Sequence, residues 1–149
     1  MNKILDGKKT SQRIKEEIKI KVDKLILEGH RAPHLAAILV GEDGASLTYV
    51  TNKVLSCKKV GFKSSLIRLP ESISENELLK EIQNLNINKE IDGFIVQLPL
   101  PNHINDEKVL LSVRADKDVD GFHPENFGRM ALNMESFIPA TPFGIIELL

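Results

Sequence analysis

The sequence predicts an α/β protein built on an open, mostly parallel sheet, three layers deep, with helices on both faces. Two observations carry that expectation. The runs LAAILV at Leu35–Val40 and FIVQL at Phe94–Leu98 are short and largely apolar without alternation, which suits parallel strands covered on both sides. The segments between strand candidates repeat their apolar residues at helical spacing, and the resulting β-α-β-α-β order calls for crossovers between parallel strands.

The overall balance agrees. A chain of 149 residues, 42% hydrophobic and 28% charged, suffices for one ordinary domain with a real core. A net charge of −1 gives no basis for a nucleic-acid or membrane surface. One cysteine excludes an internal disulfide and suits a reducing compartment. No apolar run approaches a membrane span, and MNKILDGKKT lacks the core of a signal peptide, so a cytoplasmic protein is expected.

Taken in order, Lys9–Glu28 places Ile14, Ile18, Val22, Leu25 and Ile26 on one helical face, with Gly29 as its stop. The first strand, Leu35–Val40, runs through a tight Gly41–Gly44 turn into a helix over Ala45–Gly61. There Leu47, Val50, Val54 and Cys57 form the buried stripe, and Tyr49 and Lys53 stand one turn apart on its flank. A phenol and an amine at the edge of a core suit proton handling, although an ordinary amphipathic helix carries the same pattern. Lys63–Leu69 reads as a second, less apolar strand. Ser74 and Glu77 form a capping box for a helix with Leu78, Leu79, Ile82 and Leu85 on its apolar face.

Gln97 is the odd residue of the third strand. An amide near the carboxyl end of a buried parallel strand sits where open α/β sheets bind ligands, but a core glutamine satisfied by backbone fits equally well. Pro99 and Pro101 take the chain out of the sheet toward a short helix around Asp106–Val113. Asp116, Asp118 and Asp120 open like a calcium loop, but Phe127 occupies the position of the bidentate glutamate and Pro124 interrupts it. His30, His34, His103 and His123 lack zinc-site spacing, and no metal is expected. No G-x-G-x-x-G, phosphate loop or G-x-S-x-G elbow is present. Thr141 and Pro142 read as N-cap and first residue of a last helix starting near 143, within whose apolar pattern the sequence stops, as in a truncated chain.

Four stretches together closely resemble the N-terminal catalytic domain of the bifunctional methylenetetrahydrofolate dehydrogenase/methenyltetrahydrofolate cyclohydrolase family. They are VGEDGASLTYVTNK at Val40–Lys53, DGFIVQLPLP at Asp92–Pro101, DKDVDGFHPENFG at Asp116–Gly128 and PATPFGIIELL at Pro139–Leu149. Gly44 stands where the family usually has proline, and Ala140 where it often has cysteine. The resemblance implies a single folate-binding catalytic domain over 1–149, without the C-terminal Rossmann-type domain that binds NADP in complete members. No cofactor site is then expected in this chain.

The resemblance also implies a catalytic lysine at Lys53, a stacking tyrosine at Tyr49, a lysine-supporting glutamine at Gln97 and a pterin-binding aspartate at Asp120, with Leu98 beside them at the substrate. The implied activity is oxidation of 5,10-methylenetetrahydrofolate with NADP, then hydrolysis of the methenyl product to 10-formyltetrahydrofolate, in the one-carbon metabolism that feeds purine synthesis. Opening the methenyl bridge needs a proton delivered to a ring nitrogen, which a desolvated lysine can shuttle. Asp120 can accept two parallel N–H bonds from an aminopyrimidine edge. Tetrahydrofolate derivatives are the expected partners, with complete members homodimeric and this chain alone monomeric. Two rivals bear on the same residues. The substrate domain of an amino-acid or shikimate-type dehydrogenase would not require Tyr49, Lys53, Gln97 and Asp120 together, and a receiver-like binding module would need an aspartate where the third strand carries Gln97.

Overall fold

The computed structural model describes residues 5–42 and 44–149, so Asp43 of the expected Gly41–Gly44 turn lies outside the described residues. Three parallel strands, β1 (His34–Val40), β2 (Lys63–Leu69) and β3 (Gly93–Val96), form a sheet in the order β2-β1-β3. The helices are α1 (Gly7–Leu27), α2 (Gly44–Val60), α3 (Glu75–Ile87), α4 (Asp106–Ser112), α5 (Pro124–Ala131) and α6 (Ala140–Ile146).

The two faces of β1 explain why its sequence does not alternate. Ala36, Ile38 and Val40 face one apolar cluster with Leu78 and Ile82 of α3 and Val109 of α4. Ala37 and Leu39 face the other way, onto a smaller cluster with Val50 of α2 and Ile95 of β3. A strand between two helical layers must be apolar at every position. The expected three-layer parallel architecture is therefore what forms. At the edge, β2 exposes Lys63, Ser64 and Arg68, which accounts for its weaker apolar pattern.

Several boundaries follow from caps. Asp6 caps α1, its carboxylate accepting from the Lys9 N–H at 2.9 Å, so this helix begins two residues before the expected Lys9. Its expected apolar face is only partly used: Val22 is buried, Ile14 and Ile18 are half-buried, and Leu25 and Ile26 are exposed. The capping box at Ser74 and Glu77 is present on α3 as expected.

Other expectations are corrected. β3 stops at Val96, not Leu98, although the Gln97 N–H still donates to the Ile38 carbonyl at 2.9 Å. The last helix begins at Ala140 behind Pro139, so Thr141 lies within its first turn and makes no cap. Rather than running to the final residue, α6 ends at Ile146. Tighter i→i+3 bonds follow, from the Leu148 N–H to the Ile145 carbonyl and from the Leu149 N–H to the Ile146 carbonyl. Helix α5 has no counterpart among the sequence expectations. It is capped by His123, whose Nδ1 accepts from the Glu125 N–H at 3.2 Å.

Beyond α4 the chain returns to the sheet. The Phe94 N–H donates to the Lys117 carbonyl at 2.9 Å, and Phe94 and Asp118 pair as an isolated parallel bridge. Since β1 occupies the other edge of β3, this contact lies along its outer edge. Gly93 permits the approach, because a Cβ there would fall 2.2 Å from Val119 Cγ1.

Candidate functional site

The site begins with α2. Val50 and Cys57 are buried and Leu47 and Val54 half-buried, which seats the helix on the sheet as the apolar stripe requires. That seating turns Tyr49 and Lys53 outward together. The tyrosine is 64% exposed and the lysine side chain about a third exposed.

Opposite α2 stands the loop after the β3 bridge. Asp120 Oδ2 lies 3.9 Å from Lys53 Nζ, with the Asp120 side chain 25% exposed. Burial pushes the Asp120 carboxyl above the ordinary carboxylate range; the Lys53 charge pulls it back, and the neighbouring Asp118 charge pushes it up again. Gly121 fixes where this carboxylate sits. It has φ +71, and a Cβ there would meet the backbone of residues 137–139 at 2.7 to 2.9 Å. Only glycine fits both constraints.

Gln97 lies just past β3. Its Nε2 donates to the Leu98 carbonyl at 2.7 Å, and its Oε1 is buried without a hydrogen-bond partner among the described residues. The expected support of Lys53 by Gln97 is thus not among the hydrogen bonds formed, and a carboxylate, Asp120, is the group that pairs with the amine. Leu98 is half-buried and packs against the larger core cluster. The Leu98–Pro99 peptide is cis.

A groove of about 720 Å³ opens beside Tyr49 and Lys53, between α1, α2 and α6, with Ile14, Cys57, Ile138 and Phe143 among its walls. Gln97, Leu98 and Asp120 are not among the residues lining it. The structure therefore puts Tyr49 and Lys53 on one groove, with Asp120 reaching Lys53 from outside its lining, and keeps Gln97 and Leu98 apart from them just past the carboxyl end of β3.

The three aspartates of the calcium-like segment do not converge. Asp116 pairs with Arg114 at 2.6 Å, Asp118 accepts from His123 and Asn126, and Asp120 faces Lys53. Among the described residues no group of three His, Cys, Asp or Glu side chains is placed to hold a metal ion.

Residues 5–120 match the family described as tetrahydrofolate dehydrogenase/cyclohydrolase, catalytic domain. The chain belongs to that family. The bifunctional protein FolD of Christiangramia forsetii is 66% identical over 146 residues, 98% of this chain and 49% of that protein. The crystal structure of the bifunctional enzyme FolD, a methylenetetrahydrofolate dehydrogenase/cyclohydrolase from Campylobacter jejuni, superposes with a TM-score of 0.94 at 47% identity, covering 99% of this chain and 52% of that one. The Trypanosoma brucei FolD, a methylenetetrahydrofolate dehydrogenase-cyclohydrolase complexed with NADP cofactor and inhibitor, gives a TM-score of 0.92 at 30% identity over 97% of this chain and 50% of that one. This chain spans about half the length of the relatives it matches.

What sequence reasoning missed is the pairing of Lys53 with Asp120 and the network behind it. Asn126, buried on α5, carries no signal of its own in the sequence. The available signal was Pro124 at the first turn of a helix followed by Glu125.

Proposed function

We propose that this chain supplies the tetrahydrofolate site of a bifunctional methylenetetrahydrofolate dehydrogenase/methenyltetrahydrofolate cyclohydrolase. The observation that carries this reading is the Lys53–Asp120 pair, 3.9 Å apart beside an exposed Tyr49. An aminopyrimidine edge is shaped like a guanidinium and can take the Asp120 carboxylate by two parallel N–H bonds. Tyr49 offers its ring face to the aminobenzoyl part. Taking Asp120 away from Lys53 leaves the amine without its counter-charge as the ligand closes water out, the condition under which a lysine gives and takes protons.

In the hydrolytic step, water adds to the cationic carbon bridging N5 and N10 and loses a proton. The bond from that carbon to N5 then breaks, its electron pair going to N5, which gains a proton, while the remaining hydroxyl proton leaves to solvent and the oxygen becomes the formyl C=O. Lys53 is the residue placed to accept the first and return the second. The Oε1 of Gln97, without a hydrogen-bond partner among the described residues, is the acceptor this reading offers to the substrate, and Gln97 and Leu98 are assigned to it at the carboxyl end of β3.

The hydride step needs NADP. The sequence contains no G-x-G-x-x-G and no phosphate loop, so the residues present do not make a dinucleotide cradle. We assign that cofactor to the half of the relatives' length that this chain does not span, together with the contacts of a homodimer, and place the protein in the cytoplasm.

Titration of the chain with tetrahydrofolate tests the reading. Saturable binding that weakens in Asp120→Asn and Tyr49→Ala supports it. Absence of binding, or binding indifferent to both variants, would overturn it in favour of an unrelated substrate domain.

A further inference from the structure

Asp118 has no part in the chemistry above, yet it is a carboxylate only 6% exposed. Its Oδ2 accepts from the His123 N–H at 2.8 Å and from Asn126 Nδ2 at 3.0 Å. Asn126, itself buried, also donates to the Ala115 carbonyl at 2.8 Å. The main chain of Asp118 pairs with Phe94, and its carbonyl accepts from the Gly121 N–H at 3.3 Å. Main chain and side chain of this one residue thus tie the sheet edge, the turn and α5 together, with Asp120 in the stretch they span.

Among the described residues Asp118 makes no ion pair. Withdrawing a carboxylate from water without a cation is costly, even with its lone pairs met by neutral donors. A purely structural tie between the same groups would not need the charge. We propose that Asp118 is a positioning residue of the folate site: by clamping His123 and Asn126 it fixes the direction in which Asp120 meets the ligand. This rests on the assignment of Asp120 to the ligand made above. The charged groups facing Asp120 are then Lys53 from α2 and Asp118 from its own loop, with opposite effects on its proton.

A double-mutant cycle on tetrahydrofolate affinity tests the proposal. Asp118→Asn keeps the shape but turns a donor or a weaker acceptor toward His123 and Asn126. Its Kd is expected to rise about tenfold, the loss of one charge-assisted hydrogen bond. In the Asp120→Asn background the same substitution should add nothing, because Asp118 acts through Asp120. The acid limb of binding should also move to lower pH in Asp118→Asn, since Asp120 loses a like charge beside it. Asn126→Ser, which removes one donor and leaves Asp118 and its bond to His123 in place, carries the same cycle should Asp118→Asn melt below the assay temperature. An unchanged Kd, or losses that simply multiply in the double variant, would make Asp118 a structural residue and overturn the proposal. If Asp120→Asn alone leaves Kd unchanged, it is the ligand role of Asp120 that fails.

Discussion

Lys53 and Asp120 are 67 positions apart in sequence and face each other across 3.9 Å, the amine carried by α2 and the carboxylate by a loop hung from the outer edge of β3. The Lys53 charge holds down a carboxyl that burial pushes up. Their consequences are separable by experiment.

Lys53→Met should abolish the cyclohydrolase step in a protein of the relatives' full length, while dehydrogenation survives better, since hydride transfer takes no proton from the protein. Methionine keeps an unbranched stem and helix propensity, so stability should change by less than about 1 kcal/mol. Lys53→Arg should fail in the same step, because a guanidinium cannot release its proton. Assay of both activities checks this, and equal losses would make Lys53 a binding residue.

Asp120→Asn separates stability from binding. The Asp120 carboxyl is held above its ordinary range chiefly by burial, so the folded chain binds a proton more tightly there than the unfolded one. For a raised carboxyl, stability falls as pH rises from below the ordinary value of 3.8 through the folded one. Removing that group should leave the chain equally or slightly more stable at neutral pH, as thermal melts at two pH values would show. Folate binding should meanwhile weaken by on the order of 1.5–3 kcal/mol. A melt that drops sharply would contradict the sign argued here.

Gly121→Ala should cost on the order of 2 kcal/mol, read by denaturant unfolding. The new methyl must sit at φ +71 and against the backbone of residues 137–139. Because Asp120 is its neighbour, binding should fall with it. A substitution tolerated without loss would mean the loop can shift as a body.

Asp92 anchors the far end of the sheet. Its carboxylate accepts from Arg31 at 2.7 and 2.8 Å and from the His34 N–H at 2.7 Å. The guanidinium of Arg31, more than any other group, lowers the Asp92 carboxyl. Here the sign is the reverse: the stabilisation is present above the ordinary value of 3.8 and is lost as pH falls through the lowered folded value. Allowing for its exposure, Asp92→Asn should cost about 0.5–1.5 kcal/mol near neutrality and flatten the acid limb of the stability profile. Tetrahydrofolate binding should be untouched.

The sequence displayed most of the scaffold because its signals are local. The unbroken run at Leu35–Val40 needs no partner to read as a two-sided strand, and the Ser74–Glu77 box marks its helix within four residues. Helix α5 escaped because its cap is a histidine, a residue outside the usual capping set. The face of α1 was overestimated because periodicity shows which residues align, not how much of that face a neighbour covers. At the site, Tyr49 and Lys53 were visible as a helical pair, whereas the place of Asp120 depends on Gly93, Val119 and Gly121 letting distant segments approach. No local pattern encodes that.

The bridge between Phe94 and Asp118 gives one stretch of chain two duties. Segment 117–121 presents Asp120, and it also occupies the side of β3 that would otherwise offer bare N–H and C=O groups to any passing strand. Peeling it away uncovers a short, wholly apolar edge, GFIV, as a template for another molecule. On the proposed reading, a ligand that grips Asp120 would also keep this edge covered, and slower aggregation of the chain with tetrahydrofolate present would show it.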